Sequence, residues 1–314
     1  MSVIRVEDIA YVRFSAPNIF DMRGFLEDFG FVCEEYSDGR LYARGRDGGP
    51  FHHVTELGEP RFIGLGLRAS GIDELQLLAS FEQLPIEQNF AVGGGHVVRL
   101  IDPDGFVVEV VAEQKRRSTE VGFGDRATNT VELSSRIGRH TPLKPGPSHI
   151  QRIGHCGLGV TDFRRSEEWY KDRFGFISSD EVDDNSGERI GAFLRCDLGS
   201  KPVDHHTLVL RQLPKGPRFF HAAFEVANLD DLMLGHTHLK SRDRTHVWGV
   251  GRHVVGNQVF DYWRDPWGNE FEHWTDGDLL TVEEPTNKAS LSEFIGTEWG
   301  LPRPSSRDTS RGKQ

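Results

Sequence analysis

Short apolar runs recur along this chain in a fixed order. VEDIAYVRF (6–14) reads as a strand half turned to a core, with polar residues between its apolar ones. GFLEDFGFV (24–32) follows with apolar residues at helical spacing. Strand-like stretches come next, and VVRLIDPDGFVVEVV (97–111) closes the series as two strands joined by a D-P-x-G turn. Proline presets such a turn and glycine supplies its permissive backbone.

The whole series then appears a second time. IQRIGHCGLGV (150–160) corresponds to the opening strand, EWYKDRFGFI (168–177) to the helix and turn, and VFDYWRDPWGNEFEHW (259–274) to the closing pair. Between them, FHHVTELGEPRFIGLGLRASGIDEL corresponds to DHHTLVLRQLPKGPRFFHAAFEVANLDDL. The offset grows from 144 between Tyr11 and His155 to 163 between Glu109 and Glu272, as loop insertions in the second copy would produce. Internal repetition of this kind sets the architecture before any detail does. Each copy reads as strand, amphipathic helix and three strands, with a further short helix after the third passage. In the second copy the helix around Ser166 to Phe174 stops at Gly175. The expectation is an α+β protein of two tandem modules, residues 1–140 and 148–280. The Pro- and Gly-rich stretch 136–148 is the linker. Periodicity fades after about Asp278, so 281–314 is expected to be a C-terminal extension ending in a disordered tail over 303–314.

Composition narrows the function. At 314 residues there is room for two cores. Hydrophobic residues at 37% and charged residues at 27% describe a soluble globular chain. No apolar run approaches the ~20 residues of a membrane span, and the N-terminus has no signal layout; a cytoplasmic protein is expected. A net charge of −11, spread along the chain, argues against nucleic acid as a partner. Three cysteines (Cys33, Cys156, Cys196) make no C-x-x-C pair and are odd in number, so a disulfide framework is not expected. Cys156 reads as a small buried hydrophobe rather than a ligand.

The duplication lets one copy serve as control for the other. The second copy has His155, His221 and Glu272 where the first has Tyr11, Gly64 and Glu109. A lone strand histidine is usually a packing residue, and Glu109 shows that the carboxylate alone is not diagnostic. Two imidazoles and a carboxylate that occur together in one copy only are a different matter. They make the donor set that leaves open positions on a non-haem divalent ion. A metal is therefore expected in the C-terminal module alone. Most other histidines (His96, His140, His149, His236, His238, His246, His273) have no partners at ligand spacing and read as surface or packing residues.

These residues resemble the vicinal oxygen chelate superfamily. More narrowly, G-R-H-x-x-G-x-x-x-F-x-Y-x-x-D-P-x-G-N-x-x-E, from Gly251 to Glu272, resembles the type I extradiol dioxygenase signature. The resemblance spans about residues 3 to 280 and implies modules built from paired βαβββ units. It implies Fe(II), with Mn(II) as an alternative, on His155, His221 and Glu272. It implies His206 as an acid/base group beside the oxygen site, and His253 and Tyr262 as hydrogen-bonding partners of a catecholate. His205 competes with His206, because neighbouring strand residues face opposite ways; the first copy keeps a His52-His53 pair, so the pair alone proves nothing. The implied activity is extradiol cleavage of a catechol by dioxygen to a hydroxymuconic semialdehyde-type product, in a homo-oligomer. Two readings compete with it: a metal-dependent isomerase or lyase of the glyoxalase type, and a non-catalytic binding module.

Overall fold

The computed structural model describes residues 2–120, 129–138 and 142–304. The N-terminal module runs β1 (Val6–Ala16), α1 (Ile19–Phe29), β2 (Val32–Glu35), β3 (Leu41–Arg44) and β4 (His53–Leu57). It continues β5 (Arg61–Ala69), α2 (Ile72–Glu82), β6 (Glu87–Gln88), β7 (His96–Ile101) and β8 (Val107–Ala112). Its sheet order is β2-β3-β4-β1-β5-β8-β7-β6. This is two βαβββ units laid edge to edge, with the antiparallel β1–β5 pair at the seam.

The C-terminal module repeats the plan. Its first unit is β9 (Ile150–Val160), α3 (Phe163–Phe174), β10 (Phe176–Asp183), β11 (Arg189–Cys196), β12 (Val203–Asp204) and β13 (Leu208–Gln212). Its second is β14 (Arg218–Val226), α4 (Leu229–Ser241), β15 (Thr245–His253), β16 (Val259–Arg264) and β17 (Glu270–Thr275). The seam is the antiparallel β9–β14 pair. The fold is α+β with two tandem modules of paired βαβββ units.

Local chemistry starts and stops these elements where the sequence places its signals. The side chains of Asn18, Asp162 and Asn228 accept the first free N–H groups of α1, α3 and α4. Both D-P-x-G turns are held identically: Asp102 Oδ1 accepts from the backbone of Asp104 and Phe106, and Asp265 Oδ1 from that of Trp267 and Asn269. Cys156 and Cys196 are buried, and no cysteine is paired with another.

The two modules share one core. Phe14, Phe25 and Phe29 of the first module and Phe224 and Phe271 of the second are fully buried. Phe14 meets Phe271 at 5.7 Å and Phe219 at 5.1 Å, while Phe29 meets Phe224 at 6.1 Å. Burying each such ring stabilises by roughly 1.5–3 kcal/mol. His273 completes the joint: its ring stacks on Phe29 at 3.8 Å and its Nε2 donates to the Phe29 carbonyl at 2.7 Å. It is a packing residue on the face opposite Glu272.

The chain beyond residue 280 is more ordered than its sequence suggests. After β18 (Leu279–Leu280), β19 (Asn287–Ser290) pairs with β10, α5 (Leu291–Phe294) follows, and β20 (Thr297–Trp299) pairs with β15. The extension is thus sewn to both edges of the C-terminal sheet. Of the tail expected over 303–314, residues 305–314 lie outside the described residues, as do 139–141 of the linker with His140. Among the described residues no helix is long and apolar enough to cross a membrane.

Gly30, which ends α1, has φ +113, and a Cβ there would stand 2.1 Å from the Ser148 carbonyl oxygen. Gly30→Ala therefore combines backbone strain with a clash at the module joint. It should lower unfolding free energy by more than the ~1 kcal/mol of an ordinary left-handed glycine replacement, measured by urea denaturation.

Candidate metal centre and active site

Strand register gathers the candidate residues on one face of the C-terminal sheet. Ala223 on β14 is paired with His155 on β9 and with Glu272 on β17. Tyr262 on β16 is paired with Glu272, and Trp248 on β15 with Tyr262. Residues in register share a face, so His155, Glu272, Tyr262 and Trp248 form a row. His221, two residues before Ala223, stands on the same face in the next row, opposite Gly157. A Cβ on Gly157 would come within 2.9 Å of the His221 ring, so this glycine makes the space that the imidazole occupies.

Three donor atoms converge there. His155 Nε2 and His221 Nε2 are 3.1 Å apart, and stand 3.3 and 3.4 Å from Glu272 Oε2. A triangle of that size fits three ligands each about 2 Å from one ion. Glu272 is fully buried, and neither of its oxygens has a hydrogen-bond partner; His155 Nδ1 is likewise buried and unpartnered. A buried carboxylate without hydrogen bonds needs a cation, and this donor set suits a divalent one. Burial opposes the charge of Glu272, but the imidazoles of His155 and His253 outweigh it and hold its pKa below the usual carboxylate range. Burial pushes His221 down to about 3, leaving a neutral imidazole with a lone pair to give.

The first module supplies the comparison. Tyr11 and Glu109 are both in register with Gly66, as His155 and Glu272 are with Ala223, and Arg99 pairs with Glu109 as Tyr262 pairs with Glu272. There the carboxylate is satisfied by protein alone. Tyr11 Oη donates to Glu109 Oε2 at 2.7 Å, and Arg13 and Arg99 bond Oε1 at 2.6 and 2.8 Å. Two guanidinium groups do for Glu109 what no side chain does for Glu272.

Around the triad, His206 lines the cavity and His205 does not. The His206 ring lies 4.1 Å from that of His155. His205 turns away and binds Asp180 Oδ2 through Nε2 at 2.7 Å, and its Nδ1 is 3.0 Å from His206 Nδ1. A carboxylate oxygen accepts, so in the Asp180 pair the His205 proton sits on Nε2 and its Nδ1 accepts from His206. His206 Nε2 is then left with a lone pair. Burial and four surrounding imidazoles, His155 foremost, hold the His206 pKa well below its ordinary value. His253 Nε2 lies 3.1 Å from Tyr262 Oη and 3.5 Å from Glu272 Oε1. Burial and the Glu272 charge raise the Tyr262 pKa, so it stays a phenol. His155, His206, His221, His253 and Tyr262 line a cavity of about 460 Å³.

Sequence reasoning missed three features. Asp180 carries no motif. Residues Phe294, Ile295 and Arg303 of the C-terminal extension reach the cavity wall. The third is a second grouping on the opposite face: His236 Nδ1 and His246 Nε2 lie 3.0 and 2.8 Å from the two oxygens of buried Asp261. These two histidines do have a partner at ligand distance, contrary to expectation. Trp263 Nε1 also donates to Asp261 Oδ2 at 2.6 Å, so this carboxylate is fully hydrogen-bonded and ties α4 to the sheet.

Known proteins share sequence and fold with this chain. Residues 152–273 match the model of the Glyoxalase/Bleomycin resistance protein/Dioxygenase superfamily. The chain is 27% identical over 311 residues to metapyrocatechase 2 of Cupriavidus necator, covering 94% of this chain and 89% of that protein. Homoprotocatechuate 2,3-dioxygenase from Brevibacterium fuscum superposes with a TM-score of 0.78 at 19% identity, covering 98% of this chain and 93% of that one. A Mn(II)-bound glyoxalase from Novosphingobium aromaticivorans superposes with a TM-score of 0.76 at 20% identity, over 96% and 93% of the two chains. The chain is thus similar in sequence to metapyrocatechase 2 along most of its length, and its tandem βαβββ modules share the fold of these solved structures.

Proposed function

We propose that this chain cleaves a catechol-type diol outside its two hydroxyls, with Fe(II) held by His155, His221 and Glu272. The observation that carries the reading is the fully buried Glu272 carboxylate, unpartnered beside two imidazoles in an aromatic-lined cavity. Mn(II) fits the same donors. The ion would supply adjacent positions at which catechol and dioxygen meet and exchange electron density.

The remaining steps fall to side chains. His206 presents a lone pair at Nε2, so it can take a proton as the catechol ionises and return it when the O–O bond breaks. Asp180 and His205 hold it in the tautomer that does this. Tyr262 and His253 orient the catecholate and stabilise its charge from fixed positions. Both oxygen atoms enter the product, the bond beside the diol breaks, and the balance is catechol plus O2 with no outside reductant. The product is of the hydroxymuconic semialdehyde type.

Three outcomes are expected. His155→Ala and His221→Ala should each lose bound iron as well as turnover, read by metal analysis after gel filtration; full iron occupancy in either would remove it from the ligand set. Asp180→Asn should keep iron yet lower kcat by about tenfold to a hundredfold and alter its pH profile, because His205 is no longer locked; an unchanged profile would leave Asp180 structural only. With Fe(II), ¹⁸O₂ and a panel of catechols, one O2 should be consumed per ring, giving a yellow ring-opened product that carries label. A muconic diacid, or turnover that proceeds equally well without oxygen, overturns the reading in favour of intradiol or glyoxalase-type chemistry.

A further inference from the structure

The cavity wall is strongly cationic in a chain of net charge −11. Its charged lining, apart from the histidines, is Arg211, Arg218, Arg264 and Arg303 against the single acid Glu270. Glu270 is shared by Arg264, at 3.0 Å, and Arg303. Arg211 and Arg218 have no carboxylate partner among the described residues. Their guanidinium groups rest instead on aromatic rings, Arg211 over Phe294 at 5.4 Å and Arg218 over Phe220 at 5.2 Å. Arg211 Nε is buried with no hydrogen-bond partner. Burial, Arg218 and Arg303 together lower the pKa of Arg211, so both neighbouring guanidinium groups stand close enough to act on its charge. A half-buried Arg211, without an acid partner and beside two other guanidinium groups, has a cost that an anion would remove.

Register says where that anion would sit. Arg211 on β13 and Arg218 on β14 are both paired with Gly159 of β9. Gly159 is four residues along from His155 and on the same face, which at about 3.3 Å per residue separates the strand positions by roughly 13 Å. The arginine side chains can bridge part of this. Their charge therefore faces the far end of a bound ring rather than the diol at the triad.

The geometry points to a carboxylate-bearing substituent on the catechol, gripped by Arg211 and Arg218 with Arg303 closing over it from the C-terminal extension. This inference rests on the ring-cleavage reading for its substrate, but the anion site can be tested without turnover. The guanidinium fork matches a carboxylate bidentately, and a desolvated pair would be strong.

Two measurements test it. First, kcat/KM is compared for catechols carrying a propanoate side chain at ring position 3 or 4 and for their methyl esters, in wild type, Arg211→Gln and Arg218→Gln. The better acid should be preferred over its ester by tenfold or more, and each variant should cut that preference at least fivefold. Arg218 is exposed, so its variant tests the idea even where Arg211→Gln folds poorly. Esters cleaved as well as acids, or an unchanged preference in both variants, would overturn the anion site while leaving ring cleavage intact. Second, phenylpropanoate and phenylpropanamide are titrated calorimetrically into iron-loaded protein at low and high salt. The acid should bind more tightly than the amide, with an advantage that salt and Arg218→Gln diminish. Equal binding of acid and amide overturns the proposal whether or not any catechol is cleaved.

Discussion

A carboxylate buried without a hydrogen bond is the constraint on which the C-terminal module turns. Glu272 sits on a strand flanked on both sides, so water cannot solvate it, and its neighbours are imidazoles rather than guanidinium groups. Removing an ion from water costs several kcal/mol unless another charge compensates. Every register relation in the sheet serves that compensation. β9 brings His155 to one side of Ala223 and β17 brings Glu272 to the other, while His221 leans into the gap that Gly157 leaves. A one-residue slip in β9 or β17 would turn its ligand to the opposite face.

The first module satisfies the matching carboxylate with its own side chains. Its sheet has the same core order and seam, and its carboxylate at the matching position is also buried. Arg13, Arg99 and Tyr11 satisfy it internally. The two modules thus give two answers to one electrostatic problem, and only the second leaves the charge available to an outside ion. The first copy still matters to the site: Phe14, Phe25 and Phe29 back the strand that carries Glu272 through Phe271, and His273 is locked to the Phe29 carbonyl. That packing fixes the opposite face of β17 and hence the aim of its carboxylate.

Much of this was legible in the sequence because strands convert spacing into facing. The duplication, the His, His and Glu positions, and the signature through Tyr262 and Glu272 are all local or repeated patterns. What stayed hidden depends on contacts between distant segments. The strands of the C-terminal extension, NKAS and TEW, are short and largely exposed, so no apolar periodicity marks them. Asp180 becomes meaningful only when β10 passes behind His205. His236, His246 and Asp261 come from a helix and two strands with no motif between them. The shared core was invisible too, because a phenylalanine facing a partner module looks like one facing its own.

The same distinction governs the arginines of the cavity. A sequence can count charges, and −11 describes this surface as a whole. It cannot say which arginines have acids beside them, and that is what gives a cationic wall its meaning. Arg264 and Arg303 are held by Glu270, whereas among the described residues Arg211 and Arg218 have no acid partner and rest on aromatic faces. Field lines in a cleft with low-dielectric walls are focused toward its mouth, so an acidic chain can still draw an anion into this one site. The C-terminal extension places Arg303 over Trp248 and Tyr262 at 5.3 and 5.5 Å. The segment that sequence periodicity leaves unmarked is therefore the one that joins the cationic wall to Trp248 and Tyr262, and edge pairing of β19 and β20 is what holds it there.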